Sequence, residues 1–157
     1  MPRVLIVDDF PLSRRGARTI LESQSGWECC GEAESGEAAL DVLDRCGADV
    51  VLMDVCMPGI GGLKATKVLR DAAPEVKVIL LTMNDSTEFL RAGLLAGAWG
   101  YVLKTDPETE LLSALQVVHG NGTYISRSID RAVATKVMRE VEQQWKVEIR
   151  HQGQLLH

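Results

Sequence analysis

Short apolar runs alternate with longer stretches of helical periodicity over residues 1–120, and this alternation limits the possible folds more than any other feature. Five runs have the composition of strands: Val4–Val7, Trp27–Ala33, Asp49–Met53, Val76–Leu81 and Gly100–Leu103. The stretches that follow them place apolar residues three and four positions apart, as in an amphipathic helix. Strands that alternate with helices in this way form βαβ units around a parallel sheet.

The most apolar of these runs, such as Val4–Val7 and Val50–Met53, lack the alternation of a half-exposed strand. Strands that are covered by helices on both faces have this character. We therefore predict an α/β fold, a flavodoxin-like, doubly wound parallel sheet of five strands in the order 2-1-3-4-5. Asn121-Gly122 is typical of a turn, so we expect this domain at residues 1–122 and a C-terminal linker or helical tail at residues 123–157.

The composition is that of a globular protein without a membrane segment or a broad basic surface. Of the 157 residues, 46% are hydrophobic and 25% are charged, and the net charge is −5. A negative chain is a poor candidate for a nucleic-acid surface that is built from the whole domain. No apolar run approaches the roughly 18 residues of a membrane span, and we expect a cytoplasmic protein.

The cysteines do not predict a zinc site. Cys29, Cys30, Cys46 and Cys56 have no CxxC spacing and no histidine beside them, and the three histidines form no cluster. Cysteine is among the residue types that are most often buried. We therefore expect these residues to be free, buried thiols.

Polar side chains follow four of the predicted strands at the point where each strand ends. The first strand leads into Asp8 and Asp9, the third into Asp54, the fourth into Thr82 and the fifth into Lys104. Parallel strands share one direction, so these side chains meet at the edge where open α/β sheets bind ligands. Three carboxylates repel one another, and one lysine cannot neutralise them all. The remaining charge and the hard oxygen ligands suit Mg²⁺.

These residues and their neighbours resemble the receiver domain of bacterial two-component response regulators. The matching segments are Val7-Asp8-Asp9, Met53-Asp54-Val55-Cys56-Met57-Pro58-Gly59, Leu81-Thr82 and Tyr101-Val102-Leu103-Lys104. The resemblance implies that a sensor histidine kinase phosphorylates Asp54. It also implies that Asp9 and Asp54 bind Mg²⁺ directly and Asp8 through water, with the backbone carbonyl of Cys56 as a further ligand.

The same resemblance assigns roles to the side chains that respond to the phosphoryl group. Thr82 and Lys104 contact its oxygens, and Tyr101 turns into the space that Thr82 vacates. The surface of the fourth helix, the fifth strand and the fifth helix then changes, and it controls an output or forms a homodimer. Cys56 and Asn84, each two residues beyond a site residue, are expected to tune the lifetime of the phosphoryl group.

Three later segments resemble the LuxR/NarL type of transcriptional regulator, which binds DNA through a C-terminal helix-turn-helix. They are Lys104-Thr105-Asp106, Leu111–Leu115 and Gly122–Ser126. The residues after Ser126 show no helix-turn-helix pattern. We therefore expect DNA binding only through an output domain outside this chain. The alternative is a stand-alone receiver that acts through protein–protein contacts.

Two other functions would use similar residues. An aspartyl phosphatase of the haloacid dehalogenase kind needs a second aspartate two residues after its nucleophile, and this chain has Cys56 there. This argues against an enzyme that acts on an external substrate, so we expect a signalling domain. A receiver-like module that is never phosphorylated is disfavoured because the acidic residues, Thr82 and Lys104 are all present.

The C-terminal segment has an apolar residue at every fourth position: Ile125, Ile129, Val133, Val137, Val141, Trp145 and Ile149. An α-helix has 3.6 residues per turn, so a strict period of four drifts around it by about 40° per step. One straight face cannot hold all of these positions. Two interpretations stay open: a linker helix from a longer regulator, or an amphipathic helix for dimerisation or partner docking.

Overall fold

The structure, a computed structural model, describes residues 2–55 and 61–155, with side chains described as far as residue 148. Strands and helices alternate throughout these residues. They are β1 (Arg3–Val7), α1 (Pro11–Glu22), β2 (Glu28–Ala33), α2 (Gly36–Cys46), β3 (Val50–Asp54), α3 (Gly61–Ala72), β4 (Lys77–Thr82), α4 (Thr87–Leu95), β5 (Gly100–Leu103), α5 (Glu108–His119), β6 (Tyr124–Ile125) and α6 (Arg131–Leu155). None of the helices described here is long and apolar enough to span a bilayer.

The strands pair in parallel, in the order β2-β1-β3-β4-β5-β6. The predicted fold class and the predicted order of the first five strands are confirmed. The predicted number of strands is one too few, because Tyr124 and Ile125 extend the sheet by pairing with Gly100 and Tyr101. A strand of two residues is too short to show the alternation by which strands are recognised in a sequence.

Helices cover both faces of the sheet, and each strand divides its side chains between two apolar layers. On β1, Leu5 and Val7 belong to the layer that contains α2, α3, α4 and α6. Val4 and Ile6 belong to the layer that contains α1 and α5. All four are buried, and burial of such side chains contributes roughly 1.5–3 kcal/mol each. This core fixes the strands and gathers their C-terminal ends along one edge.

One prediction about the cysteines is wrong. Cys30 on β2 and Cys46 at the end of α2 form a disulfide, with their Cα atoms 5.6 Å apart. The pairing depends on how α2 packs against β2, which a separation of 16 residues does not reveal. Cys29 is a free, half-buried thiol, and burial raises its pKa. Cys56 lies outside the described residues.

The C-terminal segment packs against the domain through two elements. Ile125 lies in β6 and Ile129 precedes α6, so the first two positions of the four-residue series are not helical. Among residues 131–148 of α6, whose side chains are described, the buried ones are Ala134, Val137 and Val141. These are spaced three and four residues apart, as one helical face requires, and α6 lies against α4.

Candidate functional site

Three carboxylates meet at the C-terminal edge of the sheet, where the order of the strands predicts them. Asp8 and Asp9 follow β1, and Asp54 is the last residue of β3. One oxygen from each carboxylate lies within 4.8 Å of the others. Asp8 and Asp54 are buried, whereas Asp9 is exposed. Such a set of hard oxygen donors fits Mg²⁺, which is typically bound through one or two protein carboxylates and several waters.

Lys104 supplies a positive charge between two of these carboxylates. Its Nζ lies 3.2 Å from Asp8 Oδ2 and 3.3 Å from Asp54 Oδ1. Burial alone would lower the pKa of Lys104, but the negative charges of Asp54 and Asp8 outweigh burial and raise it. The ammonium group is therefore held in its charged form beside Asp54.

The carboxyl group of Asp8 is held in its ionised form by its neighbours. Burial alone would raise its pKa, but hydrogen bonds from Ser13 and from the Phe10 N–H, together with the charge of Lys104, lower it. The Phe10 N–H donates to Asp8 Oδ1 at 2.9 Å. The guanidinium of Arg14 donates to the backbone carbonyl of Asp8 at 2.7 Å. Asp8 is thus fixed through both its side chain and its backbone.

Ser13 and Arg14 were not singled out in the sequence analysis. Ser13 Oγ lies 3.5 Å from Lys104 Nζ, and Arg14 also pairs with Glu32 and Glu34. The sequence does contain a clue to both residues. They lie in the first turn of the helix that follows Asp8 and Asp9, and such a turn lies close to the end of the strand before it. Their contacts themselves depend on side-chain conformations, which the sequence does not give.

Gly62 is a further residue that positions Asp54, and the sequence pattern alone does not reveal it. A Cβ atom on Gly62 would lie 2.2 Å from the backbone oxygen of Asp54 and 2.8 Å from Val55 Cα. The Gly62 N–H donates to the carbonyl of Val55 at 3.1 Å. The beginning of α3 therefore packs directly on the backbone that carries Asp54, at a distance that only glycine permits.

Thr82, Asn84 and Tyr101 form a connected group beside the acidic site. Thr82 is buried, and its Oγ1 accepts a hydrogen bond of 3.0 Å from the Asn84 N–H. The hydroxyl of Tyr101 donates to the Asn84 carbonyl at 2.5 Å. Tyr101 is fully buried, and burial raises its pKa to about 12. Asn84 is therefore tied to both residues of the expected switch pair through its backbone.

The arrangement combines a buried carboxylate with groups that can stabilise anions. Asp54 presents a carboxylate oxygen, Lys104 a fixed positive charge, and Thr82 a hydroxyl one strand away. Charges and dipoles that are already in place stabilise negative charge as it develops in a transition state. The site is suited to receive an oxyanion on Asp54. The expected contribution of Cys56 lies outside the described residues.

Comparison with known proteins gives matches over most of the chain. The sequence matches the response regulator receiver domain family over residues 4–116. It is 41% identical over 136 residues to the response regulator GacA of Pseudomonas viridiflava, covering 87% of this chain and 64% of GacA. The chain therefore spans less than two thirds of the length of that relative.

Two solved structures are similar to the whole domain. A two-component response regulator of the LuxR family from Aurantimonas sp. SI85-9A1 has a TM-score of 0.81 at 30% identity, covering 85% of this chain and 96% of that chain. The isolated REC domain of RcsB from Salmonella enterica serovar Typhimurium, in the presence of the phosphomimetic BeF3⁻, has a TM-score of 0.77 at 31% identity. The second match covers 83% of this chain and 96% of that chain.

Proposed function

Because the chain belongs to the response regulator receiver domain family, we propose that Asp54 accepts a phosphoryl group from a sensor histidine kinase and that the α4–β5–α5 surface passes the signal on. Domains of this family are signalling domains. The observation that carries the proposal is the buried Asp54 carboxylate, 3.3 Å from Lys104 Nζ and within 4.8 Å of Asp8 and Asp9.

In the transfer step, an Asp54 carboxylate oxygen attacks the phosphorus of a phosphohistidine. The new O–P bond forms as the P–N bond breaks, and the electron pair leaves with the imidazole nitrogen, which takes up a proton. Lys104 faces the oxygens on which negative charge develops. Asp8, Asp9 and Asp54 would hold Mg²⁺, with the carbonyl of Cys56 as a further ligand. When bound, this ion supplies positive charge to the phosphoryl oxygens.

The response to phosphorylation begins at Thr82. In the unmodified protein its Oγ1 accepts a hydrogen bond from the Asn84 N–H. A phosphoryl group on Asp54 offers charged oxygens to which the Thr82 hydroxyl can donate, and such charge-assisted bonds are stronger than neutral ones. Movement of Thr82 toward them alters its hydrogen bond with the Asn84 N–H. The Tyr101 hydroxyl, which donates to the Asn84 carbonyl, then loses its fixed partner.

The kinase is proposed to dock beside the site through an exposed apolar rim. The side chains of Phe10, Leu12 and Met83 are 60%, 65% and 68% exposed. They lie just after β1, in the first turn of α1 and just after β4, next to the residues that surround Asp54. Exposed apolar side chains that flank a polar site are typical of a protein interaction surface.

The proposed output rests on the relatives that the chain resembles. GacA is called a response regulator, and the Aurantimonas relative is placed in the LuxR family. We propose that this domain controls transcription through an output domain that binds DNA, with homodimerisation through the α4–β5–α5 surface or α6. A stand-alone receiver that acts through protein–protein contacts is the alternative.

A phosphorylation assay tests the proposal. The protein is incubated with Mg²⁺ and acetyl phosphate, and the acid-stable, base-labile phosphoryl adduct is measured by intact mass. We expect an adduct on the wild type and on Asp41→Asn, a control in which an exposed carboxylate on α2 is neutralised. Asp54→Asn is expected to give none. An equal adduct on Asp54→Asn, or no adduct on the wild type, would refute the assignment.

A further inference from the structure

The longest helix of the described residues, α6, covers α4, which is part of the proposed signalling surface. Ala134, Val137 and Val141 are buried in the core layer that also contains Leu90 and Leu94 of α4. At the margin of this contact, Arg91 Nε on α4 lies 2.7 Å from Glu140 Oε2 on α6. Both side chains are about one third exposed, at 35% and 37%.

A second contact holds α6 nearer its C-terminal end. The guanidinium of Arg70 on α3 lies over the ring of Trp145, 5.9 Å from its centroid. The same guanidinium donates to the carbonyl of Leu95, the last residue of α4, at 2.9 Å. Arg70 therefore connects α3, α4 and α6, and its position depends on where α4 ends.

The segment before α6 is fixed to β5 rather than to α4. The Ser126 N–H donates to the carbonyl of Tyr101 at 2.9 Å, and Ser126 Oγ accepts from the Leu103 N–H at 3.0 Å. Ser126 is fully buried. The guanidinium of Arg131 also donates to the carbonyls of Ile125 and Ser126. The beginning of α6 thus has to move with the sheet.

The position of α4 depends instead on the segment that follows Thr82. Asn84 Oδ1 accepts from the Ser86 N–H at 2.8 Å, and Ser86 Oγ caps α4 by accepting from the Phe89 N–H at 3.2 Å. Gly93 of α4 lies over the Tyr101 ring, where a Cβ would be 3.4 Å from Cδ2. A change at Thr82 is therefore transmitted through Asn84 to the beginning of α4.

We infer that α6 is a strap that holds α4 in the unmodified state, and that phosphorylation of Asp54 loosens the contact between α4 and α6. This inference rests on the proposed function. One end of α6 is fixed to β5, so α6 cannot follow a displacement of α4 relative to the sheet. The displacement must then be taken up where α6 meets α4, at the Arg91–Glu140 pair and the apolar residues beside it.

Hydrogen exchange measured by mass spectrometry tests the strap in the full chain. Amide exchange of residues 131–148 is compared with and without Mg²⁺ and beryllofluoride, and fluorine NMR of the same sample reports occupancy of the Asp54 site. We expect exchange in this range to accelerate when the site is occupied, while exchange in β1 and β3 stays slow. An occupied site with unchanged exchange in α6 overturns the strap and leaves the proposed function intact. An unoccupied wild-type site overturns both.

A pair of variants checks that the contact itself sets the exchange rate. Glu140→Gln removes the ion pair with Arg91 and, without beryllofluoride, should accelerate exchange of residues 131–148 by roughly two- to fivefold, the range of a partly exposed pair. Glu148→Gln neutralises an exposed carboxylate further along the same helix and should leave the exchange unchanged. Equal exchange in both variants would show that α6 is not held by this pair, and would overturn that part of the inference.

Discussion

The Asp54 site and the contact between α4 and α6 are the two ends of the proposed signal route, and they are built differently. At the site, Asp54 is buried and paired with Lys104, and Gly62 packs closely on its backbone. At the other end, α6 is held partly by the Arg91–Glu140 pair, about one third exposed. A site for chemistry must be preorganised, whereas a contact that changes on signalling must be weak enough for a few bonds to shift it.

The sharpest test of the rigid end is Gly62→Ala. The added Cβ would lie 2.2 Å from the Asp54 carbonyl oxygen, and backbone atoms cannot move aside as a flexible side chain can. We expect a loss of about 3 kcal/mol in the free energy of unfolding, the upper part of the usual range for overpacking. Urea unfolding followed by circular dichroism measures it.

Gly16→Ala is the matched control for that substitution. A Cβ on Gly16 would meet nothing within 4 Å, and the residue lies inside α1. Replacing glycine by alanine within a helix stabilises by roughly 0.5–1 kcal/mol. If both variants changed the stability alike, the backbone contact at Gly62 would not be what holds Asp54 in place.

The corresponding test at the other end is Val137→Ala. Val137 is fully buried on the face of α6 that packs into the core, and truncating it should lower the free energy of unfolding by about 2 kcal/mol. Because α6 packs mainly on α4, we expect the loss to appear as faster hydrogen exchange in residues 131–148, with the sheet still protected. Val147→Ala, at a position that is 64% exposed, should change neither the free energy of unfolding nor the exchange of residues 131–148. An equal loss of protection in the sheet would show that α6 and the sheet unfold as one unit.

The same contrast separates what the sequence could predict from what it could not. Asp8, Asp54, Thr82 and Lys104 were predictable as neighbours, because parallel strands necessarily bring their ends to one edge. Gly62 was not, because its role depends on a backbone approach that no side-chain pattern encodes. The packing of α6 against the domain could not be predicted from the sequence either. The four-residue series of apolar residues begins in β6, before the helix starts. The buried face of α6 includes Ala134, which is not part of that series, so this face can be identified only once α6 is known to start at Arg131.

Metal binding should act on the site without acting on the strap. The folded state brings three carboxylates within 4.8 Å, so Mg²⁺ binds it in preference to the unfolded chain. At about ten times its dissociation constant, Mg²⁺ should raise the free energy of unfolding by about 1.4 kcal/mol. Asp9→Asn should reduce this gain and Asp41→Asn should not, as thermal unfolding with and without Mg²⁺ can show. A gain that is the same in all three proteins would place the ion elsewhere.

The smallest effect is expected at the far end of the strap, where Arg70 lies over Trp145 at 5.9 Å. A cation–π contact at a partly exposed position contributes roughly 0.5–1 kcal/mol. Arg70 also bonds the carbonyl of Leu95, so a single substitution would mix the two contacts. A double-mutant cycle of Arg70→Met and Trp145→Leu isolates their coupling, read from exchange in residues 131–148. A coupling near zero would mean that the Arg70–Trp145 contact does not help to hold α6. A coupling in the expected range would show that α3 also holds the strap, so that displacement of α4 alone releases only part of it.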